Sequence, residues 1–248
     1  MPASTAKLSL SKHTLDINLR ACDVEQFDFA EIEDYVRSLT AGRDYQFDAI
    51  RRIMTYLWGG RYSTVVDLAR ANYGKKESIQ QRFQSEEHFL RMLPLPDKLS
   101  GVCHMATGTG KSYVIIAVAY LSLLLGKTRR VLVLGPSSTV IEQGLTEKFK
   151  EYIYGAKAAA LKAHLPEALR NRVVKLINSN DPFETGSVLI ENINAVYTRE
   201  NNSLGSDLFA QSTEDLLVLS DEVHHAYSHL DFSGSGVAYD FVEGKEGS

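Results

Sequence analysis

Three short runs, residues 131–134 (Val-Leu-Val-Leu), 187–190 (Ser-Val-Leu-Ile) and 216–219 (Leu-Leu-Val-Leu), are apolar almost without interruption. A strand with one wet face alternates apolar and polar residues, whereas a strand without alternation has both faces covered. Between these runs lie helical patterns: 111–125, apolar nearly all round and ended by Gly126, and 138–152, amphipathic. A further short strand is expected at 101–106, stopped from behind by Pro94 and Pro96. Strands alternating with helices predict an α/β domain, a three-layer αβα arrangement around a mainly parallel sheet.

The amino-terminal part reads differently. Helices are expected at 28–39, ended by Gly42, at 45–57, closed by Gly59-Gly60, and in two or three pieces over 63–91, broken at Gly74. The expected organisation is an acidic helical lead over 1–41, then an α/β lobe over 42–248 carrying a helical insertion at about 61–98.

Composition narrows the class. A chain of 248 residues with 44% hydrophobic and 23% charged residues is neither disordered, collagenous nor a coiled coil. A net charge of −4 excludes the strongly basic footprint of a protein that binds phosphate backbones by charge alone. A local basic face remains open, because 145–178 holds seven Lys/Arg against three Glu. Cys22 and Cys103 have no metal-ligand spacing, as expected of a reduced intracellular protein. Residues 1–20 contain no apolar signal core, and the apolar run at 113–125 is shorter than the roughly 20 residues of a membrane span. The expectation is a soluble, cytoplasmic chain with no membrane partner.

Ahead of the 111–125 helix stands Met105-Ala106-Thr107-Gly108-Thr109-Gly110-Lys111-Ser112. Glycines let backbone N–H groups curl around phosphate oxygens, and the following helix start adds partial positive charge. Thr107, Gly108, Thr109 and Gly110 would form the cradle, Lys111 would reach the β- and γ-phosphates, and the Ser112 hydroxyl would ligate Mg²⁺. The strict phosphate-loop pattern wants Gly where Met105 stands, so the match is to the Gly-x-Gly-Lys-Ser core. An incidental glycine turn with a surface lysine is the bland alternative.

The 216–219 run leads through Ser220 into Asp221-Glu222-Val223-His224-His225. Acids at the end of a buried strand lie at the carboxyl edge of the sheet, where open α/β folds bind ligands. Asp221 would hold Mg²⁺ through water, and Glu222 would orient and deprotonate an attacking water. A solvated acidic strand end is the alternative. His224 and His225 lack partners at zinc spacing; a histidine coupling nucleotide state to a neighbouring domain fits better, and His224 is the candidate.

Together these residues resemble the first RecA-like lobe of the DEAD/DEAH-box superfamily 2 helicases, with a flavour closest to the type III restriction subunit and UvrB-like branch. Arg43-Asp44-Tyr45-Gln46 looks like that family's Q motif, which implies that Gln46 makes a bidentate bond to adenine N6 and N7; an exposed glutamine at a helix start is the plainer alternative. Leu134-Gly135-Pro136-Ser137-Ser138-Thr139 resembles motif Ia, implying nucleic-acid phosphate contacts at Pro136, Ser137, Ser138 and Thr139, although the same residues also make an ordinary strand-to-helix turn. Glu191-Asn192-Ile193-Asn194-Ala195 occupies the place of motif Ib.

The resemblance implies ATP and Mg²⁺ as cofactors, nucleic acid as partner with DNA favoured over RNA, and a second lobe or a methyltransferase-like subunit as protein partner. The family's motif III, second RecA-like lobe and arginine finger have no counterpart in this sequence. Two function classes follow: a motor lobe that binds and hydrolyses ATP, plausibly in a type III restriction-like system, or a truncated or split nucleotide-binding module with little activity of its own. A small-molecule kinase is disfavoured, because a kinase needs no water-activating Glu222.

Overall fold

The computed structural model describes residues 17, 25–93, 96–103, 105–106, 108–135, 139–178, 180–192 and 215–221, with 139–142 as backbone alone. The chain forms two compact units.

The first unit holds, among the described residues, Ile17, residues 25–28 and the segment from Thr55 to Cys103. Three helices form there: α3 (Val65–Tyr73), α4 (Glu77–Arg82) and α5 (Glu86–Arg91). Helix α3 starts with a capping box. Asp67 N donates to the Thr64 hydroxyl while Thr64 N donates back to the Asp67 carboxylate, which satisfies two helix-start donors reciprocally. The unit has its own core of Tyr56, Tyr62, Leu68, Ile79, Phe83 and Phe89, in which the Phe83 and Phe89 rings lie 4.8 Å apart. The helical insertion expected at 61–98 falls within this segment.

The second unit contains Phe29–Met54 and the described residues from Met105 onward. A 3-10 turn (Phe29–Ile32) leads into α1 (Glu33–Thr40), which ends where Ala41 and Gly42 turn left-handed at φ +48° and +76°. Helix α2 (Asp44–Trp58) follows. Tyr35 of α1 is buried with its ring 6.0 Å from that of Tyr120 on α6 (Lys111–Leu124). Burial pushes the Tyr120 phenol up to about 12 and the Tyr35 phenol higher still, so both are neutral at any physiological pH.

The sheet has four described strands, β1 (Arg130–Gly135), β2 (Lys175–Ile177), β3 (Ser187–Asn192) and β4 (Leu216–Ser220), in the order β2-β3-β1-β4 and all parallel. Strand β1 is central, with Val131 facing Val188 on one side and Leu217 on the other. Successive side chains of a strand point to opposite faces. Val131 and Val133 are 0% exposed and Leu132 and Leu134 only 4% and 9%, so both faces of β1 are covered. This is the α/β architecture with a parallel sheet that the unalternating runs predict.

Helix α6 is buried over almost its whole length from Val114 to Leu124. Its last turn is closed by the Arg172 guanidinium, which donates to the Leu124 carbonyl at 2.6 Å, and by Gly126 at φ +67°. Helix α7 (Thr139–Ile153) packs against β1, β3 and α6, and two short helices, α8 (Ala156–Lys162) and α9 (Glu167–Arg170), lead to β2. No helix among the described residues is long and apolar enough to cross a membrane.

The strand expected at 101–106 is not formed: residues 101–103, 105 and 106 run as irregular chain. The segment opens on Gly101, ends on Ala106 and offers Val102 as its one β-branched side chain, a weak strand composition. Conversely β2 went unexpected, because its three residues begin on Lys175 inside a stretch that reads as a charged surface.

Candidate nucleotide site

The glycine loop reaches α6 through two left-handed residues, Gly108 at φ +79° and Gly110 at φ +80°. L side chains rarely adopt that conformation, so glycine is required at both. Between them, the Thr109 hydroxyl and amide both donate to the Ala106 carbonyl, at 2.6 and 3.3 Å, and tighten the turn. Helix α6 then begins on Lys111, with Ser112 in its first turn. Fourteen residues of aligned peptide dipoles end at this loop and favour an anion there.

The two glycines differ in their surroundings. A side chain on Gly108 would meet nothing within 4 Å, so the loop backbone there borders open space. A Cβ on Gly110 would lie 2.5 Å from Gln46 Nε2 and 2.9 Å from the Tyr113 ring. A side chain at Gly110 would therefore force Gln46 or Tyr113 to shift, quite apart from its φ.

Gln46, on the first turn of α2, is only 1% exposed. Its Nε2 donates to the Thr109 carbonyl at 2.6 Å, while its Oε1 is buried with no protein partner. The plainer expectation of an exposed helix-start glutamine is overturned by this burial. One amide N–H is engaged by the loop, which leaves the second N–H as a donor and the carbonyl oxygen able to accept a further hydrogen bond.

Helix α7 meets the start of α6 at two successive positions. Lys148 Nζ donates to Ser112 Oγ at 3.4 Å, and the Tyr113 and Tyr152 rings meet edge to face at 5.2 Å. Burial, and then the hydrogen bond with Tyr113, raise the Tyr152 phenol above the ordinary tyrosine range, although Lys157 5.5 Å over its ring opposes this. Lys148 was legible only as one charge in the basic stretch; nothing in linear order announces its approach to Ser112.

At the sheet's carboxyl edge, Asp221 N donates to the Leu134 carbonyl at 2.8 Å, so the first acid after β4 is held beside the end of β1. Asn192, the last residue of β3, is in register with Gly135. The ends of β1, β3 and β4 thus share one edge, and Thr139 opens α7 just beyond it. A cleft of about 220 Å³ runs along α7, where Gln143, Thr146, Glu147 and Lys150 face Asn178 and Glu191.

The basic stretch is largely engaged in local contacts. Lys150 pairs with Glu147 at 2.9 Å, Lys157 with Glu151 at 2.6 Å and Lys175 with Glu184 at 3.8 Å, while Arg170 and Arg172 donate to main-chain carbonyls.

Of the expected site residues, Gln46, Gly108, Thr109, Gly110, Lys111 and Ser112 come together in one place, and Asp221 stands at the sheet edge. Thr107, Pro136, Ser137, Ser138, Glu222 and His224 lie outside the described residues, as does the side chain of Thr139. The described groups fit a magnesium-bound nucleoside triphosphate. Left-handed Gly108 borders open space at a long helix's start, a hydroxyl stands in that helix's first turn, and a buried carbonyl oxygen lacks a donor.

The model of the family described as type III restriction enzyme, res subunit, matches residues 40–240. No curated protein and no solved structure matches the chain.

Proposed function

We propose, because the chain belongs to the type III restriction enzyme res-subunit family, that its helicase-like ATP-dependent motor module acts on DNA in a restriction-type system. The observation that carries this reading is the glycine loop, with left-handed turns at Gly108 and Gly110 and buried Gln46 bonded to its Thr109 carbonyl.

Backbone N–H groups from Thr107 to Gly110 wrap the phosphates, and Lys111 neutralises the β- and γ-phosphate oxygens. Ser112 and Asp221 would hold the magnesium ion, Asp221 as the second-sphere carboxylate. Gln46 selects adenine by accepting from its exocyclic amine at Oε1. The Glu222 carboxylate takes the proton of the attacking water, and His224 passes the nucleotide state to a neighbouring domain. Mg·ATP, when bound, supplies the phosphoanhydride bond and the divalent charge that offsets negative charge on the phosphates. The loop from Pro136 to Thr139 contacts strand phosphates.

The test is ATP turnover with and without double-stranded DNA, and with RNA in its place. DNA should stimulate hydrolysis. Lys111→Ala should weaken Mg·ATP binding about tenfold or more, since charge-assisted bonds of this kind contribute roughly 1.5–3 kcal/mol. Glu222→Gln should keep binding and lose turnover. Unchanged ATP affinity in Lys111→Ala removes the phosphate-loop assignment, and stimulation by RNA alone overturns the choice of track.

A further inference from the structure

We propose that Lys148 is a placeholder cation for the nucleotide site: it holds Ser112 Oγ when no metal is bound, competes with Mg²⁺ for that oxygen, and thereby sets how much magnesium nucleotide binding requires. The proposal rests on the reading of Ser112 as a metal ligand.

The observation is a single contact with definite chemistry. Lys148 Nζ lies 3.4 Å from Ser112 Oγ, on the helix packed against the start of α6. An ammonium has donors and no acceptor, so in this contact the hydroxyl oxygen must supply a lone pair. Binding a magnesium ion requires a lone pair on the same oxygen. Magnesium bonds oxygen at about 2.0–2.1 Å. With Nζ still 3.4 Å from that oxygen, the two positive centres could be no farther apart than about 5.5 Å. Like charges at that separation repel, and the divalent ion has the stronger claim.

The rest of the surroundings supports a role for charge at this point. Lys148 is exposed, so its side chain is not fixed by burial, and its four-carbon stem lets Nζ swing away while α7 stays in place. The backbone of α7 is held independently of that swing by the contact of Tyr152 with Tyr113 at 5.2 Å. Two residues along, Lys150 pairs with Glu147 instead, so the contact with Ser112 is particular to position 148 and not a general property of a basic helix. An ammonium at the metal's ligand also offers positive charge to a nucleotide that arrives without metal. Lys148 is therefore a positioning residue acting through Ser112. It should favour metal-free nucleotide and oppose metal.

The experiment titrates MgCl₂ against binding of a non-hydrolysable ATP analogue, followed by calorimetry, in the full chain and in Lys148→Met, Lys148→Arg and Lys150→Met. In Lys148→Met the magnesium concentration at half-saturation should fall about two- to fivefold, the range of an exposed charge interaction. Analogue affinity in EDTA should fall by a similar factor. Lys148→Arg keeps the charge and should stay close to wild type, and Lys150→Met should leave the curve unmoved. If the wild type binds the analogue with magnesium dependence but the Lys148→Met curve coincides with it, or Lys150→Met shifts equally, the placeholder role is wrong while the nucleotide site stands. If the wild type shows no magnesium-dependent binding at all, the metal role of Ser112 fails and takes this proposal with it.

Discussion

Gln46 Nε2 donates to the main-chain oxygen of Thr109 at 2.6 Å, a bond spanning 63 positions of sequence that ties the start of α2 to the glycine loop. It also sets the chemistry of the other end of the same amide. Oε1 is buried without a partner, and an unsatisfied buried acceptor costs about 1–3 kcal/mol. A bound base bearing an amine at the right place would relieve that cost.

Gln46→Ala removes the loop's donor and should weaken both nucleotides, but it should weaken ATP by about five- to tenfold and a uridine triphosphate by less, since uracil presents a carbonyl where adenine has an amine. Calorimetric titration of both nucleotides decides the matter. Equal losses would mean that Gln46 supports the loop without reading the base. Gln46→Glu places a carboxylate against the Thr109 carbonyl and should weaken both nucleotides, because the loop itself loses its donor.

The two loop glycines should tolerate alanine unequally. At Gly108 the added methyl meets open space, so the cost is the left-handed backbone alone, about 1–2 kcal/mol. At Gly110 the same backbone cost is joined by contacts at 2.5 Å to Gln46 and 2.9 Å to Tyr113. Thermal melting should rank Gly110→Ala below Gly108→Ala, and nucleotide affinity should follow the same order. A reversed ranking would contradict the loop geometry.

Asp48 supplies a pH-dependent test of α2. Burial raises its carboxyl, but hydrogen bonds from Arg52 and Arg51 and their charges outweigh this and hold it below the ordinary aspartate value. A carboxyl lowered on folding stabilises the protein above its unfolded value, and that contribution is lost as pH falls through the folded one. The group is substantially exposed, with 41% of its side chain open, so solvent screening keeps the effect at or below about 1 kcal/mol. Asp48→Asn should lower the denaturant midpoint slightly at pH 7. The gap to wild type should close as pH drops through the aspartate range. A gap that widens in acid would reverse the assigned sign.

Nucleic-acid binding through the basic stretch should be weak and limited in salt slope. Lys150, Lys157 and Lys175 are already paired with glutamates, so few cations there are set to release counterions from phosphates. Each neutralised phosphate contributes about 0.9 to the slope of log affinity against log salt. A slope no steeper than about −3 is expected from filter binding to duplex DNA. A steeper one would locate the phosphate contacts elsewhere on the chain.

Strands β1, β3 and β4 were legible in the sequence to within two residues, because an unbroken apolar run of four or five residues has few alternatives once both faces must be covered. Helix α6 was legible for a related reason, with Gly110 before it and Gly126 after it as punctuation. Local composition could not reveal β2, whose three residues are a strand only because β3 lies alongside. The converse held at 101–106, where order along the chain suggested a strand that composition did not support. In the site, Lys111 and Ser112 could be recognised by spacing. The bond from Gln46 to Thr109 and that from Lys148 to Ser112 depend on how helices pack, which no local pattern encodes.

The central position of β1 bears on how the chain comes to be folded. Arg130 pairs with Ser187 on one side and with Leu216 on the other, so neither neighbour exists when the strand is first made. At about 5–20 residues per second, a ribosome needs on the order of 4 to 17 s to travel from one partner to the farther one. With β3 starting at Ser187, both edges of this mostly apolar strand stay open for about 3 to 11 s and one edge until β4 is made, and an open edge of this kind is prone to pair with another chain. Expression of this protein should therefore gain from slower growth temperature or chaperone supply well before any change to the finished fold would help.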